Sequence, residues 1–272
     1  MVPGSSIFFM IVSAAISIGL PVALFFIWRN KYNTKLVPLV VGVVTYLLFK
    51  GLEQMMHLFV FEAAEGRVLT LMQANPALFI IYGILAIGIF EESGRFLAFQ
   101  ILKSRYNGPG TGLSYGLGHG GVESVMITGL AMIGSIMTAV MINNGNISLL
   151  GDDPALIAEL GEFAKQSPIS FIFPGIARII TITIHVSLSV FVWCSVKVQG
   201  KLWLYPTAII LHAILNIPSA LYQINLITNI QLVETLMLIP ATLIALAAYK
   251  LCKSMKTTEE TETPTETIDS SL

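Results

Sequence analysis

The sequence predicts an all-α, polytopic membrane helix bundle of about seven transmembrane helices, and three observations carry that prediction. Of the 272 residues, 55% are hydrophobic and only 11% charged, whereas a soluble domain carries about 25% charged residues. The apolar residues gather into seven runs of roughly 20 residues or more, the length needed to cross a bilayer core. The basic residues gather into alternate connections between those runs, the asymmetry that orients a multi-pass chain. The net charge is −1, no nucleic-acid partner is expected, and the water-soluble classes are set aside.

The first run, 5–28, precedes the first charged side chain, Arg29, and lacks the basic lead of a cleaved signal, so it reads as a retained first helix. The second, 36–61, carries Lys50, Glu53 and His57 at i, i+3 and i+7, a polar stripe on one helical face. We read it as an interfacial or bundle-facing stripe in which Lys50 and Glu53 pair, in preference to a direct catalytic role. The third run, 76–102, contains Phe90-Glu91-Glu92-Ser93-Gly94-Arg95. The fourth, 111–142, opens with a glycine-rich stretch. Gly112 to Gly116 spells a hydrolase nucleophile elbow and Gly116, Gly118 and Gly121 a dinucleotide fingerprint, but both motifs need a preceding strand. These glycines are read instead as small residues that let membrane helices approach closely.

The loop 143–168 holds Asp152, Asp153, Glu159 and Glu162 and predicts a short amphipathic helix on the outer face. Runs 169–196, 202–222 and 228–250 complete the bundle. Arg29, Lys31, Lys35, Lys103, Arg105, Lys197, Lys201, Lys250, Lys253 and Lys256 fall on one side, and the alternate connections carry only Arg67 and Lys165. The N-terminus is therefore expected outside and the C-terminus in the cytoplasm. Residues 1–256 form the transmembrane helical domain, and the Thr- and Glu-rich tail 257–272 is expected to be disordered. Cys194 and Cys252 lie in or beside different spans and read as packing residues.

An ionised residue near the centre of a spanning helix costs ~2.5–3.5 kcal/mol on insertion scales, so Glu91, Glu92 and Arg95 mark a functional site that needs internal partners. Three other runs supply candidates: His119 with Glu123 one turn later, Arg178 with His185, and His212 with Asn216 at i+4. Counted from the cytoplasmic ends, Glu91, Glu92, Glu123, His185 and His212 all lie ~15–18 Å deep. Four helices thus present ionisable groups at one level. Neighbouring helical residues point about 100° apart, so Glu91 and Glu92 have different surroundings. Arg95, at i+4 from one and i+3 from the other, neutralises one carboxylate while the other faces a cavity, and spacing alone leaves open which is which.

This set resembles the intramembrane proteases that include the CAAX prenyl endopeptidases, the bacterial Abi proteins and PrsW, and within that group most closely the YhfC family of membrane peptidases. The residues that carry the likeness are Glu91-Glu92-x-x-Arg95, His119-x-x-x-Glu123, His185 and His212-x-x-x-Asn216, spread over most of the membrane domain. His119 stands where that group usually has Phe. The resemblance implies a catalytic set of Glu91, Glu92, Glu123, His185, His212 and Asn216, with Arg95, His119 and Arg178 in support. Glu91, helped by Glu123, would activate a water; His212 and Asn216 would stabilise the tetrahedral oxyanion; Arg95 would hold the second carboxylate.

The substrate implied is a membrane-embedded peptide or protein, and the location a bacterial plasma membrane. No cofactor is required by the sequence. A zinc ion, if bound, would be held by Glu123, His185 and His212, but H-E-x-x-H is absent, and the reading leans to a metal-free glutamate mechanism. Aspartyl chemistry is excluded, because Asp152, Asp153 and Asp269 lie in a loop and the tail. A serine mechanism would rest on Ser114 or Ser124 beside a His. The rivals from other classes are a proton- or ion-coupled transporter using the same Glu/His/Arg cluster and a catalytically inactive scaffold.

Overall fold

The computed structural model describes residues 1–62, 75–146 and 153–262. Arg67, Asp152 and the last part of the tail, 263–272, lie outside the described residues. Within them the chain is helical throughout, with no strand, and seven helices are long and apolar enough to cross a membrane.

Helix α1 (Gly4–Tyr32) carries Arg29 and Lys31 in its last turn, where cations favour the helix dipole, and stops at Asn33 in the left-handed conformation, φ 54°. Thr34 Oγ1 then donates back to Phe25 O at 3.0 Å, closing the end of the helix. Helix α2 spans Leu36–Glu62. Helix α3 (Pro76–Leu102) starts with Pro in its first turn and Asn75 as cap, which accepts from Leu78 N at 3.1 Å. Helix α4 (Pro109–Ser124) follows Gly108, whose φ of 68° suits only glycine well.

The fourth span, expected as one regular helix, is α4 joined through a π-helical turn, Val125–Gly129, to α5 (Leu130–Asn143). The predicted loop helix is α6 (Pro154–Lys165), capped by Asp153 through Ala155 N at 2.9 Å. A 3-10 turn, Pro168–Ile172, leads into α7 (Phe173–Lys197), followed by α8 (Leu204–Gln223) and α9 (Ile230–Glu262). The backbone of α9 thus runs through part of the tail expected to be disordered. Its Lys-, Met- and Glu-containing continuation has adequate helix propensity, and propagating an existing helix costs far less than starting one.

Helix α7 is the centre of the bundle: 78% of its most apolar window is buried, against 22–28% for the other six spans. Helix α4 lies against α7, α2 and α1, and its glycines set those distances. A Cβ at Gly116 would sit 2.6 Å from Val186 Cα, one at Gly120 2.9 Å from His185 Cβ, and one at Gly118 1.9 Å from Leu39 O. A methyl group fits at none of the three. From the other side, Gly42 of α2 brings its backbone against Tyr115 O and His119 N. At one end of the bundle, Lys197 Nζ donates to Lys103 O at 3.1 Å. There too, Gly110 abuts Tyr32 O and Asn33 O, so the basic connections lie together.

The stripe on α2 faces the bundle. Glu53 is 1% exposed. Lys50 Nζ lies 3.0 Å and His57 Nε2 3.2 Å from its carboxylate oxygens, and His57 Nδ1 lies 2.9 Å from Tyr82 OH. Cys194 and Cys252 are both buried free thiols in the main apolar core.

The glycine contacts make a direct expectation. Gly116→Ala overpacks the α4–α7 contact and should destabilise the protein by ~1–3 kcal/mol. Gly134→Ala, where nothing lies within 4 Å of the added Cβ, should be neutral or stabilise by up to ~1 kcal/mol. Thermal unfolding in detergent checks the pair.

Candidate active site

Four helices bring the predicted residues together: α3 gives Glu91, Glu92 and Arg95, α4 gives His119 and Glu123, α7 gives Arg178 and His185, and α8 gives His212 and Asn216. Glu91, Glu92, Arg95, His119, His185 and His212 are all buried. The two adjacent carboxylates have separate partners. Glu92 Oε1 accepts from Arg95 Nη1 and lies 2.7 Å from His212 Nδ1. Glu91 points the other way, and its Oε2 lies 3.0 Å from His119 Nε2, 3.8 Å from His185 Nδ1 and 3.8 Å from His212 Nε2. One carboxylate oxygen is therefore faced by imidazoles from three other helices.

Glu123 is the third carboxylate. Its Oε1 lies 3.4 Å from Arg178 Nη1 and its Oε2 2.7 Å from His185 Nε2, close but without hydrogen-bond alignment. Arg95 Nη2 donates to His185 Nδ1 at 3.3 Å. Because a guanidinium only donates, this contact places the His185 ring proton on Nε2, toward Glu123. By the same reasoning His212 gives its Nδ1 proton to Glu92, leaving Nε2 directed at Glu91. Three carboxylates against two guanidiniums leave the centre with one formal negative charge before any histidine is protonated.

A cavity of about 330 Å³ is walled in part by Glu91, Glu123, Arg178, His185, His212 and Asn216. Glu92, Arg95 and His119 stand behind that wall. Among the expected catalytic residues, Glu92 is thus the one the structure ties into the scaffold beneath the cavity. Asn216 reaches the cavity, and its Nδ2 donates one of its two protons to His212 O at 3.0 Å within its own helix, leaving the other free to donate. Ser114 Oγ donates to Gly110 O and accepts from Lys35 N, which commits it to backbone; Ser124 Oγ is buried without a partner and does not line the cavity.

The side chains close enough to share a metal ion are a different group from the one expected on the sequence, Glu123, His185 and His212. Ligand atoms of Glu91, His119, Glu123 and His185 all lie within 4.8 Å of one another, while His212 is held by Glu92. Position along a helix fixes depth but not rotation about its axis, which is why His119 could not be ranked above His212 from spacing. The donor set fits a divalent ion such as Zn²⁺: two imidazoles, two carboxylates, net negative charge, and a buried oxygen, Glu123 Oε2, that makes no hydrogen bond.

Other contributors had weaker signals. Tyr46 of α2 stands edge-on to His119, ring centroids 5.1 Å apart, and nothing in its surroundings in the sequence marks it. Glu234 of α9 lines the cavity, and an acid inside an apolar run was the available clue. The π-helical turn begins two residues after Glu123 and resets the facing of everything beyond it; such turns are frequent at functional sites.

A family model described as YhfC intramembrane metalloprotease matches residues 16–237. The chain is also 34% identical over 261 residues, 94% of its length and 99% of the relative's, to the uncharacterized membrane protein YhfC of Bacillus subtilis (strain 168). No solved structure matches significantly.

The burial of Arg95 between Glu92 and His185 has a stability consequence. Arg95→Met leaves Glu92 charged and short of its main partner, and should cost ~3–5 kcal/mol of stability. Glu92→Leu combined with Arg95→Met removes both charges and should cost less than the single change. Denaturation of the two purified variants measures the difference.

Proposed function

The chain belongs to the YhfC intramembrane metalloprotease family, and on that footing we propose that it hydrolyses a peptide bond of a membrane-associated substrate with a water activated at Glu91. The observation that carries the reading is the single Glu91 oxygen faced by His119, His185 and His212 beside a cavity. Hydrolysis within a membrane needs such a water-accessible, helix-walled chamber, because these groups are too costly on a lipid-facing surface.

Glu91 takes a proton from the water as its oxygen adds to the substrate carbonyl carbon. His212, held in one tautomer by Glu92, faces that carboxylate through Nε2 and relays the proton to the departing amine as the carbon–nitrogen bond breaks. Arg178, paired with Glu123 on the cavity wall, is placed to share the charge that develops on the carbonyl oxygen. Arg95 positions Glu92 and His185 and touches no reacting atom. His119, Glu123 and His185 would hold a zinc ion, a two-histidine, one-carboxylate set, with Glu91 of the same cluster acting on the water. When bound, the ion supplies Lewis acidity and lowers the pKa of a bound water. Imidazoles and carboxylates hold a metal only in their unprotonated forms, so occupancy of such a site would depend on pH. The family description and the donor set support this reading over a metal-free one.

A transporter would be favoured by unwound mid-membrane segments; apart from the π-helical turn, the described spans run as helices through the level of the site. The basic end of the bundle is assigned to the cytoplasm on charge grounds. The outer end, where α8 turns into α9, is then the end toward which the cavity extends.

Cleavage products from membranes carrying the wild type or Glu91→Gln, compared by mass spectrometry, test the proposal. Glu91→Gln should lower cleavage ~10²–10⁴-fold, and unchanged products would overturn it. Elemental analysis tests the metal: zinc per protein should fall in His119→Ala and His185→Ala, and zinc occupancy of the wild type should rise with pH. Equal and negligible metal in all three would return the mechanism to glutamate alone.

A further inference from the structure

Glu234 is the third carboxylate on the wall of the cavity that holds Glu91 and Glu123. The other two are engaged, Glu91 by three imidazoles and Glu123 by Arg178 and His185. Glu234 Oε1 is buried and makes no hydrogen bond. Lys50, which also borders the cavity, is turned to Glu53 through both carboxylate oxygens at 3.1 and 3.0 Å. The neighbouring polar groups along that wall, Ser219 and Gln223, carry no charge, and Ser219 Oγ is directed at Met237 Sδ, 3.5 Å away. Glu234 is only partly buried, but this one oxygen is enclosed in an apolar bundle without a partner to offset its burial.

The helices fix its distance from the chemistry. Ser219 lies seven residues beyond His212 on α8, ~10 Å along the axis. Met237 of α9 is level with Ser219, and Glu234 lies a further three residues toward the α8–α9 connection, ~4.5 Å more. Glu234 therefore stands ~15 Å along the cavity from the level of His212 and Glu91. An extended peptide advances ~3.3–3.6 Å per residue, so this distance corresponds to about four residues.

We propose that Glu234 is a specificity determinant, a subsite that binds a basic side chain of the substrate peptide about four residues from the bond cleaved. The assignment rests on the protease reading and adds to it the class of residue recognised. A cationic substrate group supplies the partner that the buried oxygen lacks, and a charge-assisted hydrogen bond there discriminates against an apolar residue.

The test uses synthetic membrane-spanning peptides reconstituted in liposomes with the full-length protein, each carrying a single Lys, Glu or Ala scanned along the sequence. Products are identified by mass spectrometry, which reads the cleaved bond and its distance from the variable residue together. The wild type should cleave the peptide with Lys about four residues from that bond at least ~10-fold more efficiently, by kcat/KM, than its Ala counterpart. Glu234→Gln should bring that ratio close to one, and Glu234→Lys should reverse it in favour of the Glu peptide. Cleavage that depends on Glu91 but shows the same side-chain preference in all three proteins would overturn the inference and leave the protease reading standing. Absence of any Glu91-dependent cleavage would overturn both. Binding of the Lys and Ala peptides to Glu91→Gln, with and without Glu234→Gln, separates recognition from turnover: loss of Lys preference only in the double variant supports the subsite, and equal binding of the two peptides by Glu91→Gln contradicts it.

Discussion

Adjacent carboxylates on one membrane helix cannot be satisfied from the same direction, and the bundle is arranged to meet that constraint. Glu92 turns toward Arg95 on its own helix and His212 on α8. Glu91, a third of a turn away, meets His119 and the edges of His185 and His212. The same two histidines therefore bind the two halves together, His212 touching both carboxylates and His185 reaching Arg95, Glu91 and Glu123. The acidic pair is costly in isolation; inside this network each charge has a donor, and the network closes only when four helices are in register.

That register depends on α4. Its glycines allow backbone contact with α7 on one side and α2 on another, which carries His119 into the centre and sets His185 directly against Gly120. The close packing also explains why α7 is the most buried helix of the bundle. Sequence to packing to site is a short path here: small residues give proximity, proximity gives the imidazole contacts, and those contacts define which carboxylate oxygen faces the cavity.

Much of this was legible from the residues. The seven spans follow from apolar length, the loop helix from Asp153 before Pro154, and the polar chamber from the common depth of Glu91, Glu123, His185 and His212. What was not legible concerns rotation. Glu91 and Glu92 occupy the same depth, and only the neighbouring helices decide that Glu92 is enclosed. On the sequence His119 stands one turn from Glu123 and outside the level that His212 shares, yet His119 joins the metal-capable cluster and His212 is tied to Glu92. The π-helical turn after Ser124 follows no residue pattern that distinguishes it from regular helix. Glu234 carries a signal of its own kind, an acid within an apolar run, but its relation to the site depends on how α9 folds back beside α8.

The central claim is a division of labour between two neighbouring glutamates, enclosure for Glu92 and exposure to the cavity for Glu91. The most direct measurement is the unfolding midpoint of Glu91→Gln and Glu92→Gln, purified and denatured side by side. The account expects Glu92→Gln to unfold well below the wild type, because Arg95 is left buried without its counter-charge, and Glu91→Gln to stay close to it. A large loss in Glu91→Gln with little change in Glu92→Gln would contradict the assignment and exchange the two roles.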